Sequence, residues 1–147
     1  MKLNAIRREE AKSLGGVWWS FESPQERCEG NKPHATKFCL LIAERLNPRH
    51  RESLAKHRLE RLADLRAGGT RAEKAERDID TEAMADGLLL GWENADNEDG
   101  TKLVYSRAEA VRVLRDVELW PIRSFVEDVS TIPMQYHRAA EADALGN

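Results

Sequence analysis

An α+β fold, dominated by helices and opened by a small N-terminal antiparallel β element, is what this 147-residue chain predicts. Three observations carry that expectation. Segments 17–22 and 36–43 are dense in aromatic, β-branched and apolar residues, and a stretch bearing Pro, Gly and Asn separates them. Beyond residue 47, apolar side chains recur at three- and four-residue spacing, the period of a helix with one core-facing stripe. Asn-Pro and Ser/Thr-x-x-Glu signatures punctuate that second part as helix starts. Four to five helices should therefore follow the β element. The length fits one domain over 1–147. A subdivision at Gly69 would separate the β element and a basic helix from an acidic helical remainder.

At the N-terminus, Leu3, Ile6 and Leu14 have helical spacing among charges, and Gly15-Gly16 stops them. Val17 to Glu22 then predicts a strand. Its adjacent Trp18 and Trp19 must point to opposite faces, because side chains alternate along a strand. Residues 23–35 predict a loop. The run 36–43 is the most strand-like in the chain, able to pair with 17–22 or to run straight into the next helix. Pro48 at a first helical position opens a basic helix over 48–66, with Leu54, Ala55, Leu62 and Leu65 as its apolar stripe and Gly68-Gly69 as its end.

The Thr70-x-x-Glu73 box predicts a further helix reaching Leu90. Ala72, Ala75, Ile79, Ala83 and Leu90 would form one apolar row and Met84 with Leu88 a second, with Gly91 as a left-handed stop. The acidic stretch Glu93–Gly100 predicts a hydrated turn. Its calcium-loop register fails, because Ala95 and Ser106 fall where carboxylate ligands are required. The apolar text on either side, ending in Trp92 and resuming at Leu103-Val104-Tyr105, should fold back on itself. Ser106-x-x-Glu109 starts another helix, with Val111, Leu114 and Val117 on one face. Pro121 starts the next, with Ile122, Phe125, Val126 and Val129 facing the core, and Trp120 at the junction. Pro133 introduces a last turn or short helix with Met134 and Tyr136. Residues 1–2 and 138–147 are expected to fray.

Composition narrows the function classes. With 41% apolar and 33% charged residues the chain can build a core, yet no apolar run approaches the roughly 18 residues of a membrane span. The N-terminal stretch lacks the apolar core of a secretory signal, which predicts a cytoplasmic location. Cys28 and Cys39 do not make a disulfide framework. With His34, His50 and His57 they match no zinc-ligand spacing, so neither metal nor cofactor is expected. No Gly-rich phosphate loop, Ser nucleophile elbow or His-Glu-x-x-His occurs, and the four histidines fall in loops or on helix surfaces; a non-enzyme is expected.

The net charge of −3 conceals a dipole. Residues 1–77 hold 17 Lys/Arg against 11 Asp/Glu, and residues 78–147 hold 6 against 15. Such a dipole is read first as two solvated faces, and second as suited to a charged partner or a second copy of the chain. The basic helix, with seven Lys/Arg against three acids over 45–66, also raises nucleic-acid binding as a reading, but interruption by Glu and Asp makes a solvated face the better one.

Taken in order, the features resemble the tail assembly chaperones of long-tailed bacteriophages. The matching pieces are Gly16-Val17-Trp18, the run Lys37–Ile42 leading into Asn47-Pro48-Arg49, Leu89-Leu90-Gly91-Trp92-Glu93, Asp99-Gly100, and Tyr105-Ser106-Arg107-Ala108-Glu109-Ala110. The likeness spans most of residues 15–130 and rests on order and spacing. The chain departs from the pattern in its Arg-rich helix and its paired Trp18-Trp19. The resemblance implies a non-enzymatic role in the host cytoplasm, binding the tape measure protein and recruiting tail tube subunits, with no place in the finished virion. A tail completion or head–tail joining protein is the structural alternative. Trp18, Trp19, Trp92, Tyr105, Trp120 and Phe125 are the candidate partner-binding anchors.

Overall fold

In a computed structural model, residues 15–21, 35–41 and 47–131 are described, together with 138, 141 and 145. The helices expected at 3–14 and after Pro133, the 23–34 loop with Cys28 and His34, and residues 42–46 lie outside them. Three strands, β1 (Val17–Phe21), β2 (Thr36–Leu40) and β3 (Leu89–Glu93), form one antiparallel sheet in the order β1-β2-β3. The helices are α1 (Pro48–Glu60), α2 (Leu62–Ala67), α3 (Gly69–Gly87), α4 (Arg107–Arg115) and α5 (Trp120–Thr131), with a 3-10 turn at Val117–Leu119. The fold is α+β and mainly helical, as the sequence predicts.

The expected pair of strands forms, with Val17 opposite Leu40 and Phe21 opposite Thr36. The third strand corrects the expectation of a helix reaching Leu90. That helix ends at Gly87, and Leu89–Glu93 pairs with β2, placing Trp92 opposite Phe38 and Gly91 opposite Cys39. A run of three leucines is compatible with either element, and the open edge of β2 decides for the strand by satisfying its own backbone groups. Gly91 consequently sits in β3 and stops no helix.

Strand alternation sorts the side chains. Val17, Phe38, Leu40, Leu89 and Trp92 enter the main core with Met84, Leu88, Ala110, Val113, Leu114, Val126 and Val129. Trp18 packs with Cys39 and Leu90 in a separate small cluster, so the paired tryptophans do part to opposite faces. Ala75, Ile79 and Ala83 are buried on α3 and Ile122, Phe125, Val126 and Val129 face inward on α5, as their spacing predicts. Val117 does not join Leu114: the chain leaves the helix at Asp116 and Val117 is 82% exposed in the 3-10 turn.

The helix starts differ in how they are capped. Asn47 caps α1 by accepting from the His50 N–H at 3.1 Å, and Ser106 caps α4 by accepting from the Glu109 N–H at 3.1 Å. The Thr70 box does not form. α3 begins at Gly69 after Gly68, whose φ of +69° turns the chain in a way glycine allows, and Thr70 is already inside the first turn. The basic segment also breaks, at Arg61, into α1 and α2.

Candidate partner-binding cleft

The turn after β3 sets one wall of an open cleft. Ala95 O accepts from Leu103 N at 2.8 Å, and Asn97 O accepts from Gly100 N at 2.9 Å. Asp99 accepts from both the backbone and the hydroxyl of Thr101, which holds its carboxyl below the usual range. Its carboxylate is thus committed to the turn. Asn94 adopts a positive φ of 60° and donates to Ala35 O, while its own carbonyl accepts from Thr36 Oγ1 at 2.9 Å. The turn is tied to the start of β2 from both directions.

The apolar flanks fold back as the sequence predicts. Trp92 Nε1 donates to Leu103 O at 2.8 Å, and the Tyr105 hydroxyl donates to Leu89 O at 2.9 Å. Burial pushes the Tyr105 phenol above its ordinary value. The two rings meet edge to face with centroids 4.9 Å apart.

Between this turn and the α4–α5 corner opens a cleft of about 950 Å³. Its floor and inner walls are Phe21, Phe38, Trp92, Leu103, Val113, Leu119 and Ile122. Its rim carries Asp96, Glu98, Asp99, Glu109, Asp116 and Glu118, against Arg112 as the one cation among the described lining residues. Arg112 is itself held by Glu109 at 2.7 Å. An apolar trough with an acidic lip takes a polypeptide segment that offers apolar side chains flanked by Lys or Arg.

The six candidate anchors are dispersed around this site. Trp92 lies on the floor, 3% exposed. Phe125 meets Phe21 and Phe38 with tilted rings, centroids at 5.1 and 5.9 Å, and Trp19 leans on Phe125 at 5.8 Å. Tyr105 is half-buried behind Trp92. Trp18 is only 5% exposed, in its own cluster. Trp120, at the start of α5 and 65% exposed, is the candidate that solvent reaches most freely. Phe21, Phe38 and Ile122 complete the trough but do not stand out in the sequence, because aromatic and branched residues in strands and helices are ordinarily core.

A second group of polar residues has a different character. His50 and His57, expected on a helix surface, are 8% and 6% exposed, and Ser53 is 7% exposed. They form the face of α1 that packs on α3, so the buried stripe of α1 is polar and its leucines are not its core side. Asp86 is the hub. It accepts from Ser53 Oγ at 2.7 Å and from Arg107 Nε at 2.5 Å, and His57 Nε2 lies 3.1 Å from the same Oδ2 that Ser53 uses. His57 Nδ1 meets Glu60 at 3.0 Å, and Arg107 also reaches Glu82. Ser, His and Asp thus converge, but the serine gives its proton to the carboxylate and not to the imidazole, so the order required to activate a nucleophile is not built. The group clamps α1 and α4 onto α3. Sequence spacing could not reveal it, since its members come from three helices.

Burial pushes the Asp86 carboxyl up, but hydrogen bonds from Arg107, Ser53 and His57 outweigh it and bring the value down to about 2 from 3.8. A depressed carboxyl stabilises the fold above its unfolded value and loses that contribution as pH falls through the folded one. Asp86→Ala should therefore cost about 2 kcal/mol at neutral pH, because it strands buried donors. The gap between wild type and variant in urea unfolding should narrow as pH falls from about 4 toward 2. A gap that stays constant over that range would show that the carboxylate charge is not what holds the clamp.

Known proteins give a partial frame. A family model described as YdaY prophage protein matches residues 46–147, the segment from the start of α1 to the last residue and more than half of the chain. The chain belongs to the YdaY prophage protein family. It is phage-derived, as the resemblance implies, and the family description does not extend to tail assembly. No curated protein and no solved structure matches it. The YdaY segment includes the acidic turn, β3, α4 and α5, and so most of the cleft; β1 and β2, which supply Phe21, Thr36 and Phe38, precede it. No helix among the described residues is long and apolar enough to cross a membrane.

Proposed function

We propose that this prophage protein is an assembly chaperone that holds a helical segment of another polypeptide in the acidic-rimmed cleft. The observation that carries the reading is the pairing of an aromatic floor with a rim on which, among the described residues, carboxylates outnumber cations. Apolar anchors give a client affinity, and the acids select basic flanks and speed encounter. No bond need be made or broken for this task. The resemblance to phage tail assembly chaperones supplies the client: the long tape measure protein, with tail tube subunits recruited afterwards, in the host cytoplasm. Trp120 extends the apolar surface beyond the cleft and serves as an outer anchor.

Co-expression with the long helical protein of the same prophage gene cluster tests the proposal. Wild-type chaperone should raise the soluble fraction of that protein several-fold. Glu98→Lys combined with Glu118→Lys should remove most of the gain while leaving the circular dichroism spectrum unchanged. Trp120→Ala should weaken it further. Solubility indifferent to the chaperone, or equal rescue by the lysine variant, would end the reading. Mass spectrometry of purified particles separates it from a tail completion or joining role, since a chaperone should be missing from them.

A further inference from the structure

A chain whose cleft selects apolar-plus-basic segments carries one such segment itself. On α1 and α2, Leu59 is 74% exposed and Leu62 36% exposed. They lie three residues apart, one on each side of the α1–α2 break. Lys56, Arg58 and Arg66 flank them, all exposed. None of the three forms an ion pair among the described residues, whereas the nearby Arg61 is engaged by Glu60 and Glu82 at 3.9 Å each. Neither leucine lines the cleft of its own chain. The opposite charges of the two halves of the sequence are thus resolved into two surfaces, a basic leucine ridge and an acidic aromatic trough.

We infer that two copies of this chain associate head to tail, with the Leu59–Leu62 ridge of one seated in the Phe21–Trp92–Ile122 cleft of the next. Charge complementarity commits the cleft to this resting occupant: Lys56, Arg58 and Arg66 on the ridge face Asp96, Glu98 and Glu118 on the rim. The inference rests on the cleft being a polypeptide dock. It adds that a client must displace a neighbouring copy, which keeps the apolar floor covered until a client arrives. Joined head to tail, the copies share a heterologous contact. Each copy retains one unused ridge or trough, and growth continues into a ring or an open chain.

Sedimentation of the full chain reads this directly. Wild type should self-associate with rising concentration at about 50 mM salt and dissociate toward monomer at about 500 mM, where screening shortens the reach of surface charges. A ridge variant, Leu59→Asp with Leu62→Asp, and a trough variant, Glu98→Lys with Glu118→Lys, should each be monomeric. All four positions are solvent-facing or at the margin of exposure, so both variants should keep the wild-type circular dichroism spectrum. Mixed together, the two variants retain one intact ridge and one intact trough. They should form a one-to-one complex that grows no further. A monomeric wild type at low salt, association untouched by either variant, or failure of the mixture to pair would overturn the inference. A monomer whose ridge instead retards duplex DNA would overturn it too, assigning the basic face to nucleic acid. A monomer that still solubilises its client ends this inference while leaving the chaperone reading in place.

Discussion

Gly87→Ala should destabilise the fold by about 3 kcal/mol or more, a large part of the roughly 5–15 kcal/mol available to a domain. The reason is steric and lies between two backbones. A Cβ at position 87 would stand 2.5 Å from His50 Cα, 2.7 Å from His50 N and 2.8 Å from His50 Cβ. None of these atoms can swing aside as the end of a side chain can, so α1 itself must retreat. Asn47 Nδ2 donates to Gly87 O at 2.6 Å, and the same Asn47 caps α1. A retreating α1 therefore loses its tether, its cap geometry and the Ser53 and His57 contacts to Asp86 together. The expected observation is a marked fall in the urea midpoint. Gly91→Ala is the control. Its Cβ would meet Trp18 Cη2 at 3.6 Å and Cys39 Cβ at 3.9 Å, ordinary contacts, so stability should change by less than about 1 kcal/mol. Equal behaviour of the two variants would mean that α1 is not held at that distance.

The crossing at Gly87 marks the boundary of what the sequence makes legible. Periodicity exposes the core faces of α3 and α5, and the Asn47-Pro48 and Ser106-x-x-Glu109 signatures locate two helix starts, because each depends on residues within one turn of the chain. Whatever depends on a distant partner is hidden. Leu89-Leu90 becomes strand because β2 offers an unpaired edge, and nothing within that stretch records the edge. The apolar stripe assigned to α1 is inverted for the same reason. His50, Ser53 and His57 are buried because Asp86 and Gly87 lie opposite them, while Ala55 and Leu62 of the expected stripe are exposed. Polar residues can form a buried face when each finds a hydrogen-bonding partner, and a leucine count cannot anticipate that.

The cleft shows the same division. Its acidic turn is plain in the sequence as Glu93–Gly100, and so is Trp92 before it. That these acids overhang an aromatic trough is not, because Phe21, Phe38 and Ile122 come from three elements. The candidate anchors chosen for being aromatic divide by burial: Trp18 is packed away, Trp19, Tyr105 and Phe125 support the floor from behind, Trp92 forms it, and Trp120 stands outside. Aromatic identity marks the neighbourhood of the site. Exposure determines which ring a partner can touch.

Phe38→Ala should be the most costly substitution in the sheet, at about 3–5 kcal/mol. β2 is the central strand, with Trp19 opposite Phe38 on one side and Trp92 on the other. Its ring is 2% exposed and meets Phe21 at 5.7 Å, Phe125 at 5.9 Å and Trp92 edge to face at 6.4 Å. Truncation removes the member shared by three ring pairs and leaves a void between the sheet and α5 that this rigid surround cannot fill. Phe38→Leu keeps most of the volume and should cost less than half as much. Trp120→Ala, removing a larger but mostly solvated ring, should change stability by no more than about 1 kcal/mol. Urea unfolding followed by circular dichroism ranks the three. The same ring is also cleft floor, so the leucine variant separates its two duties: a chain that folds normally yet has lost its client shows that the floor recognises aromatic edges, whereas full binding shows that the floor needs only apolar bulk. If alanine at 38 proves no more damaging than alanine at 120, the aromatic cluster does not organise the core, and the cleft above it has no fixed shape with which to select a partner.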